Sequence, residues 1–323
     1  VGCVRDTVAY GRARATGAGR CLAVLRMAHG AGWGRGIGLF GAMRRRSRFV
    51  LLVGHGLVAC GQLLADLAGT AAYWFFPRYR RALASNLARV LGKPADAPVV
   101  RRAVEQAFRA SARNFLALAW LRVAGRFWSP PLEITGVEGL SADAGGPVVV
   151  VSAHLGPFDV VAALLGRRGR AFLVVAEPMR PGWLDRAVRW LRGHRGVTLV
   201  PPSPAGLRRV VRALQAGVPV VFLLDRRSQR NGRCVRFFGK PVTLSDAPVR
   251  LARRFGCPLV FAFTVRERHG YRLRFEELIR PGHAQNARSD EFEQLIASLE
   301  RAIRSAPDQW LVFRPLWSTE ATA

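Results

Sequence analysis

The sequence predicts an α/β fold: a mostly parallel central sheet with helices on both faces, preceded by amino-terminal helices that associate with a membrane. Three observations predict it. From Leu132 onward, short β-branched runs alternate with amphipathic stretches, the pattern of strand–helix–strand crossovers. Several of these runs, Val148–Ser152 above all, are apolar throughout, as strands buried on both faces must be. Ahead of them, Phe49–Phe76 is a long apolar stretch between basic flanks.

Taken in order, residues 1–48 are rich in Gly and Arg and are expected to be mobile or to lie upstream of the true start. No short apolar core with a cleavage pattern follows them. Phe49–Phe76 is long enough for a membrane span of about 20 residues. Asp66, Gln62 and four glycines (Gly54, Gly56, Gly61, Gly69) make a lipid-embedded helix costly. Three options stay open: a span, a helix lying in the interface, and a core helix. The flanks Arg44–Arg48 and Arg78–Arg81, with Tyr73, Trp74, Phe75 and Phe76 at one end, favour membrane contact. Arg78–Leu91 and Val99–Leu121 read as amphipathic helices, the second with Val100, Val104, Phe108 and Phe115 at helical spacing.

The expected strands are Leu132–Val137, Val148–Ser152, Ala171–Val175, Val197–Val200, Val218–Leu224, and Leu259–Val265 with Tyr271–Phe275 as its hairpin partner. Between them fall helices over Val160–Leu165, Trp183–Arg192, Gly206–Gln215 and Ala247–Phe255, and a last one over Ser289–Ile303 that Asp290 and Glu293 would cap. Antiparallel strands are expected at the sheet edge. Three regions result: a basic segment 1–48, hydrophobic and amphipathic helices 49–125, and an α/β core 126–323.

Composition narrows the function. Fifty Lys and Arg against 21 Asp and Glu give a net charge of +29 over 323 residues. That excess attracts polyanions: anionic lipid, nucleic acid or phosphorylated substrates. Nearly all of it is Arg, the better bidentate phosphate ligand, with Lys93 and Lys240 the only lysines. Five scattered cysteines with no C-x-x-C spacing indicate neither a disulfide framework nor a zinc site, and suit a reducing compartment. No cofactor or metal is expected. Walker A and G-x-S-x-G patterns are absent from the chain, which argues against a P-loop nucleotide site and a serine hydrolase of that type.

The chemistry concentrates at VVVVSAHLGPFD, 148–159. His154 follows a buried strand, where open α/β sheets place their ligand crevices. Gly156 and Pro157 turn the chain into a helix whose first turn holds Asp159. That carboxylate could hold one imidazole nitrogen and leave the other to take a proton; it could equally serve the helix dipole alone. Two more strand ends could converge on the same crevice, the Glu177–Arg180 turn and Asp225-Arg226-Arg227. Gly232, Phe237-Phe238-Gly239 and Pro241 form a glycine- and aromatic-bearing loop beyond them, which reads as a hairpin turn.

From about Leu63 to Trp317 the chain resembles the late lipid A acyltransferases of the HtrB/LpxL type and the phosphatidylinositol mannoside acyltransferases, within the lysophospholipid acyltransferase superfamily. Five stretches carry the resemblance in order. ALASNLARVLG around Asn86 looks like the family's early helix. VEGL at 137–140 leads to HLGPFD, which is similar to its H-G-N-W-[DE] block. AEPMRPGWLDRAVRWLR at 176–192 looks like the second block. LLDRR at 223–227 with RFFGKPVTLSDAPVRLARRFGCPLV at 236–260 resembles the third. APDQWLVFRPLW at 306–317 is similar to the closing P-[ED]-Q-W phrase. Asp159 stands where the lipid A branch often has Glu, and Pro157 and Phe158 where Asn and Trp are frequent.

The resemblance implies an O-acyltransferase with His154 as general base and Asp159 as its partner. Gly156, Glu177, Arg180, Asp225, Arg226, Arg227 and Gly239 become candidate substrate contacts. It also implies an acyl-CoA or acyl carrier protein donor, a membrane glycolipid acceptor, an anionic membrane surface as partner, and the cytoplasmic face of the inner membrane as location. Lysophosphatidate acylation is the alternative, though no P-E-G-T-R phrase is present. A basic nucleic-acid-binding protein is the alternative of another class; it has the charge but no binding motif, so no nucleic-acid partner is expected.

Overall fold

The computed structural model describes residues 41–125, 129–136, 146–194, 196–228, 232–279 and 291–317, with backbone only for 41–55, 57 and 277–279. The expectations for residues 1–40, VEGL at 137–140 and the Asp290 cap lie outside the described residues. Compact packing divides the chain into Val1–Arg48 and Phe49–Ala323; the sheet, the helices over it and the candidate site all lie in the second unit.

Among the described residues, three helices precede the sheet: α1 (Gly41–Phe75), α2 (Pro77–Leu91) and α3 (Pro98–Ala124). Pro77 and Pro98 occupy the first helical position, where the missing N–H costs nothing. Gly92 ends α2 in the left-handed region, its N–H satisfying α2 carbonyls. Asp66, the residue that made a lipid-embedded α1 costly, forms a bidentate ion pair with Arg113 of α3. Gly69 lets the two helices touch, since a Cβ there would stand 2.6 Å from the Arg109 Cα. Among the described residues, no helix is long and apolar enough to cross a membrane.

The strands among the described residues are β1 (Leu132–Thr135), β2 (Val149–Ser152), β3 (Phe172–Val175), β4 (Val197–Val200), β5 (Val220–Leu223), β6 (Arg233–Phe237), β7 (Lys240–Leu244), β8 (Leu259–Glu267) and β9 (Gly270–Ile279). They are interleaved with α4 (Phe158–Arg167), α5 (Gly182–Arg192), α6 (Pro204–Gln215), α7 (Ala247–Phe255) and α8 (Glu291–Ser305). The main sheet runs β1-β9-β8-β2-β5-β3-β4, and every pairing is parallel except β8 with β9. The sequence suggests an antiparallel strand at the sheet edge, but β9 lies one strand further in. Leu132–Thr135 returns to lie parallel beside β9 and covers its outer side.

Alternation along the strands separates two cores. Val149 and Val151 of β2 and Phe261 of β8 join one, with α2, α6, α7 and α8. Val150 and Ala262 face the other, with Leu118 and Leu121 of α3 and Val160, Val161 and Leu164 of α4. Helices thus cover both faces. The loop at 237–239 is the turn of a separate hairpin, β6–β7. Phe238 and Gly239 both have positive φ, 47° and 77°, the twist that two-residue hairpins favour.

Candidate active site

The sheet order brings the site together. The chain runs from β2 through α4 to β3, on to β4, and back through α6 to β5, which slots between β2 and β3. Ser152 of β2 stands opposite Leu223 of β5. Two residues further on, His154 and Asp225 therefore leave adjacent strand ends side by side, at the crevice such sheets use.

The contact between them is close and buried. His154 Nδ1 lies 2.7 Å from Asp225 Oδ1, and the Asp225 side chain is wholly inaccessible. The other carboxylate oxygen, Oδ2, accepts the His154 backbone N–H at 2.7 Å and the Trp310 indole N–H at 2.8 Å. Burial alone would push the Asp225 carboxyl up, but its contacts with His154 and the Trp310 and backbone donors outweigh this and hold it below the ordinary value. Asp225 is therefore ionised. Burial holds the His154 imidazole below 6.5; Asp225 opposes that shift, while Arg226 and Arg192 add to it. An ionised carboxylate only accepts, so Nδ1 carries the proton and Nε2 keeps a lone pair. The ring retains about 10% exposure, with Phe158 packed edge-on at 5.2 Å.

The segment carrying the histidine is fixed on every side. Gly156 has φ +60°, and a Cβ there would fall 2.4 Å from the Thr264 carbonyl oxygen; only glycine fits that approach. Thr264 Oγ1 donates to the Leu155 carbonyl, Asn114 Nδ2 to the Gly156 carbonyl, and Leu311 N–H to the His154 carbonyl. Gly156 N–H donates to the Gln309 carbonyl. The carboxyl-terminal stretch is anchored in turn by buried Asn86 of α2. Its amide donates to the Val312 and Arg314 carbonyls and accepts from Leu316 N–H.

Asp159 takes a different partner from the one its spacing suggested. Its carboxylate pairs with Arg192 at the end of α5, at 2.8 Å, and Asp225 occupies the His154 nitrogen it was expected to hold. The physical reason is its place in the first turn of α4, within reach of Arg192 at the end of α5, whereas β5 delivers Asp225 straight to the imidazole.

Of the other residues singled out from sequence, Arg226 comes closest to the pair. It is largely buried, and its Nε–H has no hydrogen-bond partner. Burial lowers its pKa, Asp225 and Glu177 oppose that, and Arg314 and Arg192 reinforce it. Glu177 lies 3.9 Å from Arg314. Arg180 and Arg227 are exposed, and Gly239 sits in the β6–β7 turn. Trp310, Asn114, Arg192 and Arg314 were not assigned site roles from sequence. Trp310 and Arg314 stand in the APDQWLVFRPLW stretch and Arg192 in AEPMRPGWLDRAVRWLR; Asn114 lies in none of the quoted stretches.

Among the described residues, no His, Cys, Asp and Glu cluster could hold a metal ion. Free Cys257 is buried against the sheet and Cys60 and Cys234 are exposed.

Comparison with known proteins gives the family of the chain. Among curated proteins, the Vi polysaccharide export protein VexE of Salmonella typhi is 26% identical over 221 residues, 64% of this chain. The match spans only 32% of that protein's length. A phosphatidylinositol mannoside acyltransferase of Mycobacterium tuberculosis is 27% identical over 256 residues, 73% of this chain and 76% of that protein. A solved 1-acyl-sn-glycerophosphate acyltransferase from Thermotoga maritima aligns with a TM-score of 0.35 at 14% identity, over 76% of this chain and 97% of that one. The family model for bacterial lipid A biosynthesis acyltransferases matches residues 47–319; the chain belongs to that family.

Proposed function

We propose that this chain is a membrane-associated O-acyltransferase that moves a fatty acyl group from a thioester to a hydroxyl of a membrane glycolipid, with His154 as general base. The observation that carries this is the buried Asp225–His154 pair, which presents an unprotonated Nε2 with no protein nucleophile assigned beside it. Nε2 takes the hydroxyl proton as the oxygen attacks the thioester carbonyl carbon. The carbon–oxygen bond forms, and the tetrahedral intermediate collapses with loss of the carbon–sulfur bond. The departing thiolate recovers the proton from Nε2. No acyl-enzyme is needed. Asp225 holds the tautomer and stabilises the imidazolium that forms midway, the role a buried carboxylate plays beside any histidine base.

Arg226 supplies the second support. A largely buried guanidinium with an unpartnered N–H, near the further cations Arg314 and Arg192, suits a phosphate group on either substrate. Exposed Arg180 and Arg227 extend that surface outward, and Glu177 steadies Arg314. Gly156 supports the site by letting the His154 loop close on the Thr264 backbone. The donor would be acyl-CoA or acyl carrier protein, and the site would open to the cytoplasmic face of the inner membrane. The named similarity to phosphatidylinositol mannoside acyltransferase favours a glycolipid acceptor over a glycerolipid.

Lipidomics of a deletion strain should show one lipid class missing one acyl chain, restored by the wild-type gene. His154→Ala should fail to restore it, with transfer by the purified chain lowered about 10³-fold while circular dichroism shows the chain still folded. An unchanged lipid profile after deletion, or near-normal transfer by His154→Ala, would end this reading.

A further inference from the structure

Helix α5 is inverted. At about 100° per residue, Val188 and Arg192 point inward, Val188 being buried and Arg192 pairing with Asp159. The opposite side carries Trp183, Ala187 and Trp190, with Arg186 at its edge. Trp183 is 64% exposed and Trp190 54%, while Ala187 and Arg186 are also exposed. A helix at an aqueous surface places polar residues there. Next to Trp190 stand the last residues of α3. Arg122 lies over the indole at 4.9 Å and donates to the Gly193 carbonyl, and Val123 is 81% exposed. The result is a patch of two tryptophans fringed by Arg122 and Arg186.

We propose that this face of α5 docks on an anionic lipid bilayer at the level of its headgroups. Tryptophan is the side chain that settles at that depth, its ring in the acyl boundary and its N–H in the wet layer. Arginines at the fringe match the negative surface of a membrane rich in anionic lipid, and their sign agrees with the net charge of the chain. Lone exposed apolar residues need no occupant, but a run on one helix face beside basic residues is the pattern of an interfacial helix. Location supports the same occupant. The inner side of α5 reaches Asp159, five residues beyond His154, and the helix is only about 16 Å long. A docked α5 therefore keeps His154 close to the plane in which a lipid hydroxyl lies. This docking does not depend on which reaction the site performs.

The test uses the full chain and vesicles of phosphatidylglycerol brominated on the acyl chains near the headgroup. Bromine quenches only indoles that reach that depth, and Trp183→Phe/Trp190→Phe keeps the apolar surface while removing the reporters. Quenching of the wild type should fall by about half or more in the double variant, allowing for Trp74 and the other tryptophans, while co-sedimentation with vesicles is maintained. Arg186→Glu should lower affinity several-fold for phosphatidylglycerol vesicles and not for phosphatidylcholine. Equal quenching in wild type and double variant overturns the proposal. So does a self-associated chain in sedimentation equilibrium that Trp183→Ser/Trp190→Ser dissociates, since the face would then belong to a second copy.

Discussion

Asp225 and Asp159 are the same side chain near the same histidine, and they do different work. Asp225, at the end of β5, has no exposed surface and accepts three hydrogen bonds, two from His154 and one from Trp310. Asp159, in the first turn of α4, keeps about a fifth of its side chain exposed and is neutralised by Arg192. One is 71 residues from His154 in the chain and the other five. Proximity along the chain thus chose the wrong partner, because strand register, with Ser152 opposite Leu223, delivers the distant carboxylate to the ring. A carboxylate that is buried, acceptor-saturated and on a strand end can govern a tautomer; one tied to a guanidinium governs where a helix sits.

The contrast can be broken most directly at its stronger side. Asp225→Asn should lower kcat by about 10²–10⁴-fold, because the amide can donate to Nδ1 and so favours the wrong tautomer. The sign of its pH effect is fixed. His154 works as a base only when neutral, so activity falls with acid through a pKa that burial holds below 6.5. Asp225 opposes that lowering, so its removal should move the acid limb of the residual activity to still lower pH. An acid limb that stays in place in a kcat profile would mean that Asp225 is not coupled to the base.

Trp310→Phe comes next. It deletes one hydrogen bond to a buried charge, worth about 1.5–3 kcal/mol, and should reduce kcat roughly 10- to 100-fold with KM little changed. A comparable loss in Trp310→His, which can still donate, would show that the indole serves packing alone. The smallest effect belongs to Asp159→Asn. A partly exposed ion pair contributes about 1 kcal/mol or less, so activity should drop about fivefold at most. A loss equal to that of Asp225→Asn would reverse the assignment of the two carboxylates.

Much of the architecture was legible in the sequence. Continuous β-branched runs located β2 and β5; His154, the Glu177–Arg180 turn and Asp225-Arg226-Arg227 were expected to converge at their carboxyl ends, and His154 and Asp225 are in contact there. Val197–Val200 and Ala247–Phe255 match the observed elements at both ends, since turn residues such as Gly196 and Gly256 mark their limits. The partner of His154 was not legible, because a sequence does not state which strands are neighbours. The outer side of β9 was misplaced for the same reason: four residues of β1 arrive from before the sheet begins. Phe49–Phe76 left three options open, and its apolar residues look alike whether they face Arg109 and Leu116 of α3 or solvent. Gly61 and Gly69 reveal the packed side only when α3 is seen against them. Arg192 was not singled out, being one arginine among many.

The reach of Trp310 and Gln309 back to the histidine loop has a bearing on how the protein comes into being. Domains form from the amino-terminal side while the ribosome is still adding residues, and β2 with its histidine is made long before Trp310. Until that indole has emerged, Asp225 lacks a donor and Gly156 N–H lacks its carbonyl. A nascent chain paused upstream of Trp310 would hold the His154–Asp225 pair without the brace that the indole and Gln309 supply. On the proposed mechanism, the bracing of His154 and Asp225 is thus completed late in biosynthesis.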